Sequence, residues 1–78
     1  MNKNRRKEIR EIINELEELK EKIEMVLAEE QDYYDNMPEN LQGSERGEIA
    51  ESAISELEES LDNIDNAIEN LECAEIGS

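Results

Sequence analysis

Apolar residues recur every seven positions along two long stretches of this 78-residue chain, and a segment bearing Pro38 and Gly43 parts the two stretches. Counted from Ile9, the first stretch has one row Ile9, Leu16, Ile23, Glu30 and a second row Ile12, Leu19, Val26, Tyr33, with Ile13, Leu27 and Tyr34 on the flank. Such a stripe specifies an amphipathic helix, slightly broader than the seam of a two-stranded coiled coil. It predicts a helix over about residues 3–35, and Glu30 within the row is expected to set register or face water. Beyond the break, rows Ala50, Leu57, Ile64, Leu71 and Ile54, Leu61, Ile68 predict a second helix over about 45–74. Beside them runs a small row, Ala53, Ser60, Ala67, Ala74. Small residues at that repeat let a neighbouring helix approach toward the lower end of the usual ~8–10 Å.

The break, 36–44, is read from its turn residues. The ring of Pro38 disfavours helix at Met37. Asn36 is expected to cap a short turn starting near Pro38, whose missing N–H costs nothing in a first turn. Gly43 is expected to supply a positive φ for the reversal. Ser44 suits the N-cap of the second helix, with Glu45 and Glu48 in the first turn where the helix dipole favours acids. Gly47 within that turn costs about 1 kcal/mol relative to alanine, which predicts a contact too close for a side chain.

The fold class predicted is all-α: an antiparallel, coiled-coil-like helical hairpin, one domain over residues 1–78. Short connections favour antiparallel neighbours, and the charges agree. Residues 1–22 hold seven of the eight basic residues, while 23–78 hold seventeen acidic residues against Arg46 alone, for a net charge of −15. Folding back sets Arg5, Arg6, Lys7 and Arg10 beside Asp65, Glu69, Glu72 and Glu75, and each group offsets a charge that the other's helix dipole disfavours. Exposed pairs contribute about 0–1 kcal/mol each, so they select direction more than they stabilise. One core in so small a chain rarely supplies more than ~3–5 kcal/mol. Ile13, Met25, Leu27, Ile49 and Ile76 also exceed what one seam needs, so a homo-oligomer is expected, most simply two hairpins forming a four-helix bundle.

The residues present argue against an enzyme. With no histidine, nucleophile–His pairs and zinc motifs requiring His are excluded. Glu17-Glu18 and Glu58-Glu59 fall on solvent-facing positions and read as a solvated face. Asp32, Asp35 and Glu39 lack the spacing of a calcium loop, and no phosphate-cradling glycine motif occurs. No cofactor or metal is expected. Cys73 between Glu72 and Glu75 reads as a structural thiol, because neighbouring carboxylates oppose thiolate formation. No apolar run suits a membrane span or a secretory signal, and the expected location is cytoplasmic. Lys3-Asn4-Arg5-Arg6-Lys7 is too short, and too close to acids, for a nucleic-acid arm.

Two segments are candidates for binding. An acidic face, Glu48, Glu51, Glu56, Glu59, Asp62 and Glu69, creates a field that attracts basic proteins. The turn offers Tyr33, Tyr34, Asn36, Ser44 and Arg46, in which aromatic rings, an amide and a guanidinium at a helix start can meet an anionic ligand. The run Tyr33-Tyr34-Asp35-Asn36-Met37-Pro38-Glu39-Asn40-Leu41-Gln42-Gly43-Ser44-Glu45-Arg46, followed by an acidic Ala/Leu/Ile helix, resembles a family of small acidic proteins encoded by phages, prophages and plasmids of Gram-positive bacteria. The resemblance spans about residues 28–74 and carries no catalytic residues. It implies a mobile-element context, in which small acidic proteins often inhibit host enzymes, some by resembling DNA. The leading expectation is therefore a non-enzymatic module that inhibits a basic host protein (a defence or DNA-binding protein) by electrostatic or DNA-mimic binding. The alternatives are a helical oligomer that sequesters a small ligand such as a nucleotide, and a structural coiled-coil assembly protein.

Overall fold

The first helix begins where Asn2 takes extended backbone and its side-chain oxygen accepts the Arg5 N–H at 2.9 Å. That bond satisfies one of the N–H groups every helix leaves open at its start. In the computed structural model, which describes residues 2–77, α1 runs Lys3–Asp35, α2 Glu39–Gln42 and α3 Glu45–Ile76. The described residues hold helices and turns and no strand. Residues 1 and 78, part of the expected single domain, lie outside the described residues. The protein is all-α, with α1 packed along α3 and α2 against α3. The two long helices give a rod of 58 × 15 × 12 Å.

The seam differs from the expected one by a rotation of α1. Ile13 is 0% exposed, whereas Ile12, Leu19, Val26 and Tyr33 remain 44–50% exposed. The row that accompanies Ile9, Leu16, Ile23 and Glu30 into the contact is therefore Ile13, Lys20, Leu27, Tyr34, all buried or half-buried. The expected second row, Ile12 to Tyr33, is instead the flank. Lys20 explains the difference. Its apolar stem lies along the seam while its ammonium reaches Asp65 at 2.7 Å, so a charged residue occupies a core row without an unpaired buried charge. On α3 the inner positions are Ala50, Ile54, Leu57, Leu61, Ile64, Ile68 and Leu71, with Ala53, Ser60 and Ala67 half-buried beside them.

The connection also departs from expectation at three residues. Asn36 does not cap the segment at Pro38; it ends α1, its N–H donating to Asp32 O at 3.0 Å. Pro38 itself precedes α2, and its carbonyl accepts the Leu41 and Gln42 N–H groups at 2.9 and 3.1 Å. Gly43 has φ −86°, an ordinary right-handed value and not the expected positive φ, and it ends the four-residue α2. Ser44 does stand at the N-cap of α3, but its hydroxyl donates to Leu41 O and caps nothing, since α2 offers that carbonyl first. Gly47 meets its expectation: a Cβ there would lie 2.0 Å from Gln42 O. The α2 backbone rests on the first turn of α3, and Met37, just before Pro38, is buried.

Candidate functional site

Three polar ties mark one side of the helix pair. Arg10 Nε and Nη2 donate to Glu75 Oε2 and Oε1 at 3.0 and 2.7 Å. Lys20 Nζ pairs with Asp65, and the Tyr34 hydroxyl donates to a Glu51 carboxylate oxygen. Going from Arg10 to Lys20 to Tyr34 takes the partner from Glu75 to Asp65 to Glu51. The bidentate bond from Arg10 holds the Glu75 carboxyl below its ordinary pKa and raises that of Arg10. The bond to Asp65 likewise raises Lys20, and the bond to Glu51, then partial burial, raises the Tyr34 phenol. Asp65 and Glu75 belong to the acidic group expected beside the basic start of α1; of that basic group, Arg10 makes the tie.

Acid on α3 is concentrated on this tied side and on the outward arc. The row Glu51, Glu58, Asp65, Glu72 flanks the seam on the tied side, and Glu48, Asp62 and Glu69 lie in the next row outward; all seven are exposed. Glu56 and Glu59 are exposed as well; Glu59 falls on the far part of the arc, and Glu56 shares the row of Ile49 toward the other side. The six expected acidic residues are thus spread round the exposed surface of α3, from Glu51, which is bonded to Tyr34 of α1, round to Glu56.

The opposite side of the pair is grooved, and at mid-rod largely apolar. One cleft of about 280 Å³ near the connection is lined by Glu30, Tyr33, Glu45, Arg46, Ile49 and Ala50. A second of about 270 Å³, at mid-rod, is lined by Leu19, Lys22, Ile23, Val26, Leu57 and Ile64. Of the five turn residues singled out from the sequence, Tyr33 and Arg46 come together in the first cleft. Tyr34 points to the tied side, Asn36 ends α1, and Ser44 bonds to Leu41. Glu30 and Ile49 complete the cleft. Glu30 was visible as the polar break in its row, while Ile49 was legible only as surplus apolar surface. Among the described residues no group of three or more metal-ligating side chains converges, and no helix is long and apolar enough to cross a membrane.

These features define an acidic, all-α helix pair with one charged side and one apolar side. Comparison with protein-family models, with curated proteins and with solved structures finds no match.

Proposed function

We propose that the two long helices form an antiparallel helical hairpin acting as a non-enzymatic binding module, and that it engages a basic partner protein through the outward acidic arc of α3. In this reading the hairpin pairs with a second copy into a four-helix bundle, which leaves the arcs outermost. The observation that carries it is that α3 holds its acid against a single basic residue, Arg46, while Glu48, Glu51, Glu56, Glu59, Asp62 and Glu69 all reach solvent. A helix holds such carboxylates at fixed spacing, so their field adds up toward a cationic surface and steers its approach. The turn likeness to proteins of Gram-positive phages, prophages and plasmids supports a mobile-element setting. There, inhibition of a host defence or DNA-binding protein in the cytoplasm, in its sharpest form by mimicry of DNA, is the function the charge suits.

The test is affinity capture from a Gram-positive lysate with the wild type and with Glu48→Lys, Asp62→Lys and Glu69→Lys combined. The reading expects prey that is lost at high salt and lost with the charge-reversed protein. Prey retained equally by both proteins contradicts it.

The Tyr33–Arg46 cleft favours a second reading, a pocket for a small anionic ligand such as a nucleotide. Glu30 and Glu45 on its rim, and the net charge of −15, oppose that ligand. Calorimetric titration with nucleotides separates the two, since the acidic arc gives no heat with them.

A further inference from the structure

We propose that the apolar side of the helix pair is the docking surface for a second copy of this chain, and that the two copies lie end for end. This rests on the bundle in the functional reading above and specifies the face and the orientation. Ile12, Leu19, Val26 and Tyr33 stand in one straight row, each 44–50% exposed although large and apolar. Opposite them on the same side run Ala53, Ser60 and Ala67, all half-buried, and a mid-rod cleft opens between Leu19, Val26, Leu57 and Ile64. A large row facing a small row is a groove into which the large row of another helix pair packs. The side measures about 58 × 15 Å, on the order of the ~800 Å² that each partner of a standard interface buries.

Charge decides both the occupant and its orientation. The α3 row flanking this side is Ile49, Glu56, Asn63, Asn70, whereas the row flanking the tied side is acidic at every position. A basic partner would be drawn to the acidic row. With the α1 row on the same side, Glu8, Glu15, Lys22 and Glu29, this side's flanks carry four acids against one lysine. Glu51, Glu58, Asp65 and Glu72 with Arg10, Glu17, Glu24 and Gln31 give the tied side six against one arginine. This side is therefore where a chain of net charge −15 meets its own copy with less repulsion. Along the rod, residues 28–51 carry eight acidic residues against Arg46, while 3–12 and 66–76 together carry five basic and five acidic. Placed end for end, the acidic connection of one copy lies beside the balanced end of the other. The two acidic ends are then separated by far more than a screening length of about 8–10 Å. Placed the same way round, they would be adjacent.

The test uses the whole chain in solution. Light scattering at micromolar concentration is expected to give twice the 9.0 kDa mass, and a mass of 9.0 kDa overturns the proposal. A spin label at Asn40→Cys, in a Cys73→Ser background, reads the orientation on an otherwise native surface. The expected label separation is close to the 58 Å rod length; one within about two helix diameters, ~20–24 Å, overturns the end-for-end arrangement. Leu19→Lys with Val26→Glu is expected to halve the mass with helical circular dichroism retained, because both side chains are already half-exposed in the single chain. Glu58→Lys, on the other side, is expected to leave the mass unchanged. A dimer that survives the first pair and is lost with the second variant overturns the choice of face. None of these measurements involves a basic partner, so failure here is distinct from failure of the acidic-arc reading.

Discussion

A methyl group on Gly47 would overlap the Gln42 carbonyl, an atom fixed by the α2 backbone. Gly47→Ala is therefore expected to destabilise by about 1–2 kcal/mol in urea unfolding, the overpacking cost of ~1–3 outweighing ~1 of helix propensity. An unchanged or raised midpoint would show that α2 does not rest on α3. The rotation of α1 is tested by its neighbours Ile12 and Ile13. In the Leu19→Lys, Val26→Glu background, Ile13→Ala is expected to cost about 2–5 kcal/mol, as for a fully buried aliphatic side chain, and Ile12→Ala less than half as much. Equal losses would return the seam to the row containing Ile12. At Tyr34 the phenol is expected to titrate above the ordinary tyrosine range, followed by its ultraviolet difference spectrum, and Glu51→Gln to bring it back toward that range.

Of the elements, the helices were legible and their facing was not. A period of 3.6 is a local property, so Ile9 to Tyr33 and Ala50 to Leu71 announce α1 and α3 directly. The rows through Ile12 and Ile13 flank Ile9 on one stripe, and local pattern favours the uninterrupted one, Ile12, Leu19, Val26, Tyr33. The structure sets the row containing Lys20 in the contact, where Asp65, far along the chain, receives its ammonium. The connection was misread for a similar reason. Gly43 and Ser44 carry ordinary turn chemistry, but a four-residue helix between Pro38 and Gly43 satisfies their backbone differently. In the candidate site, Tyr33 and Arg46 were found by residue type, whereas Ile49 takes its place only once α3 lies beside α1.

The tie between Arg10 and Glu75 fixes how the two long helices respond to acid. Glu75 has a folded pKa below its unfolded one, so its contribution is complete above the unfolded carboxylate pKa and vanishes as pH falls through the lowered folded value. Wild type should thus exceed Glu75→Gln in stability at neutral pH, and the difference should close on acidification through the lower carboxylate range. A gap that persists when all carboxylates are protonated would contradict this origin. High salt should narrow the gap at neutral pH, since Arg10 is exposed to solvent and Glu75 only half-buried.

For the whole molecule the decisive feature is the proposed antiparallel hairpin, supported by the pairing of Arg10, Lys20 and Tyr34 with Glu75, Asp65 and Glu51, with one side closed by charge and the other apolar at mid-rod. The acidic arc, the cleft at Arg46 and the docking surface all depend on that arrangement. Its most direct test is a spin-label distance within one chain, between native Cys73 and a cysteine at Glu11, diluted with unlabelled protein. Both positions are exposed, and the register of Arg10 with Glu75 places them side by side. The account predicts a separation of about two helix diameters, ~20–24 Å. A separation near 90 Å, roughly that of one continuous helix at about 1.5 Å per residue, would contradict it.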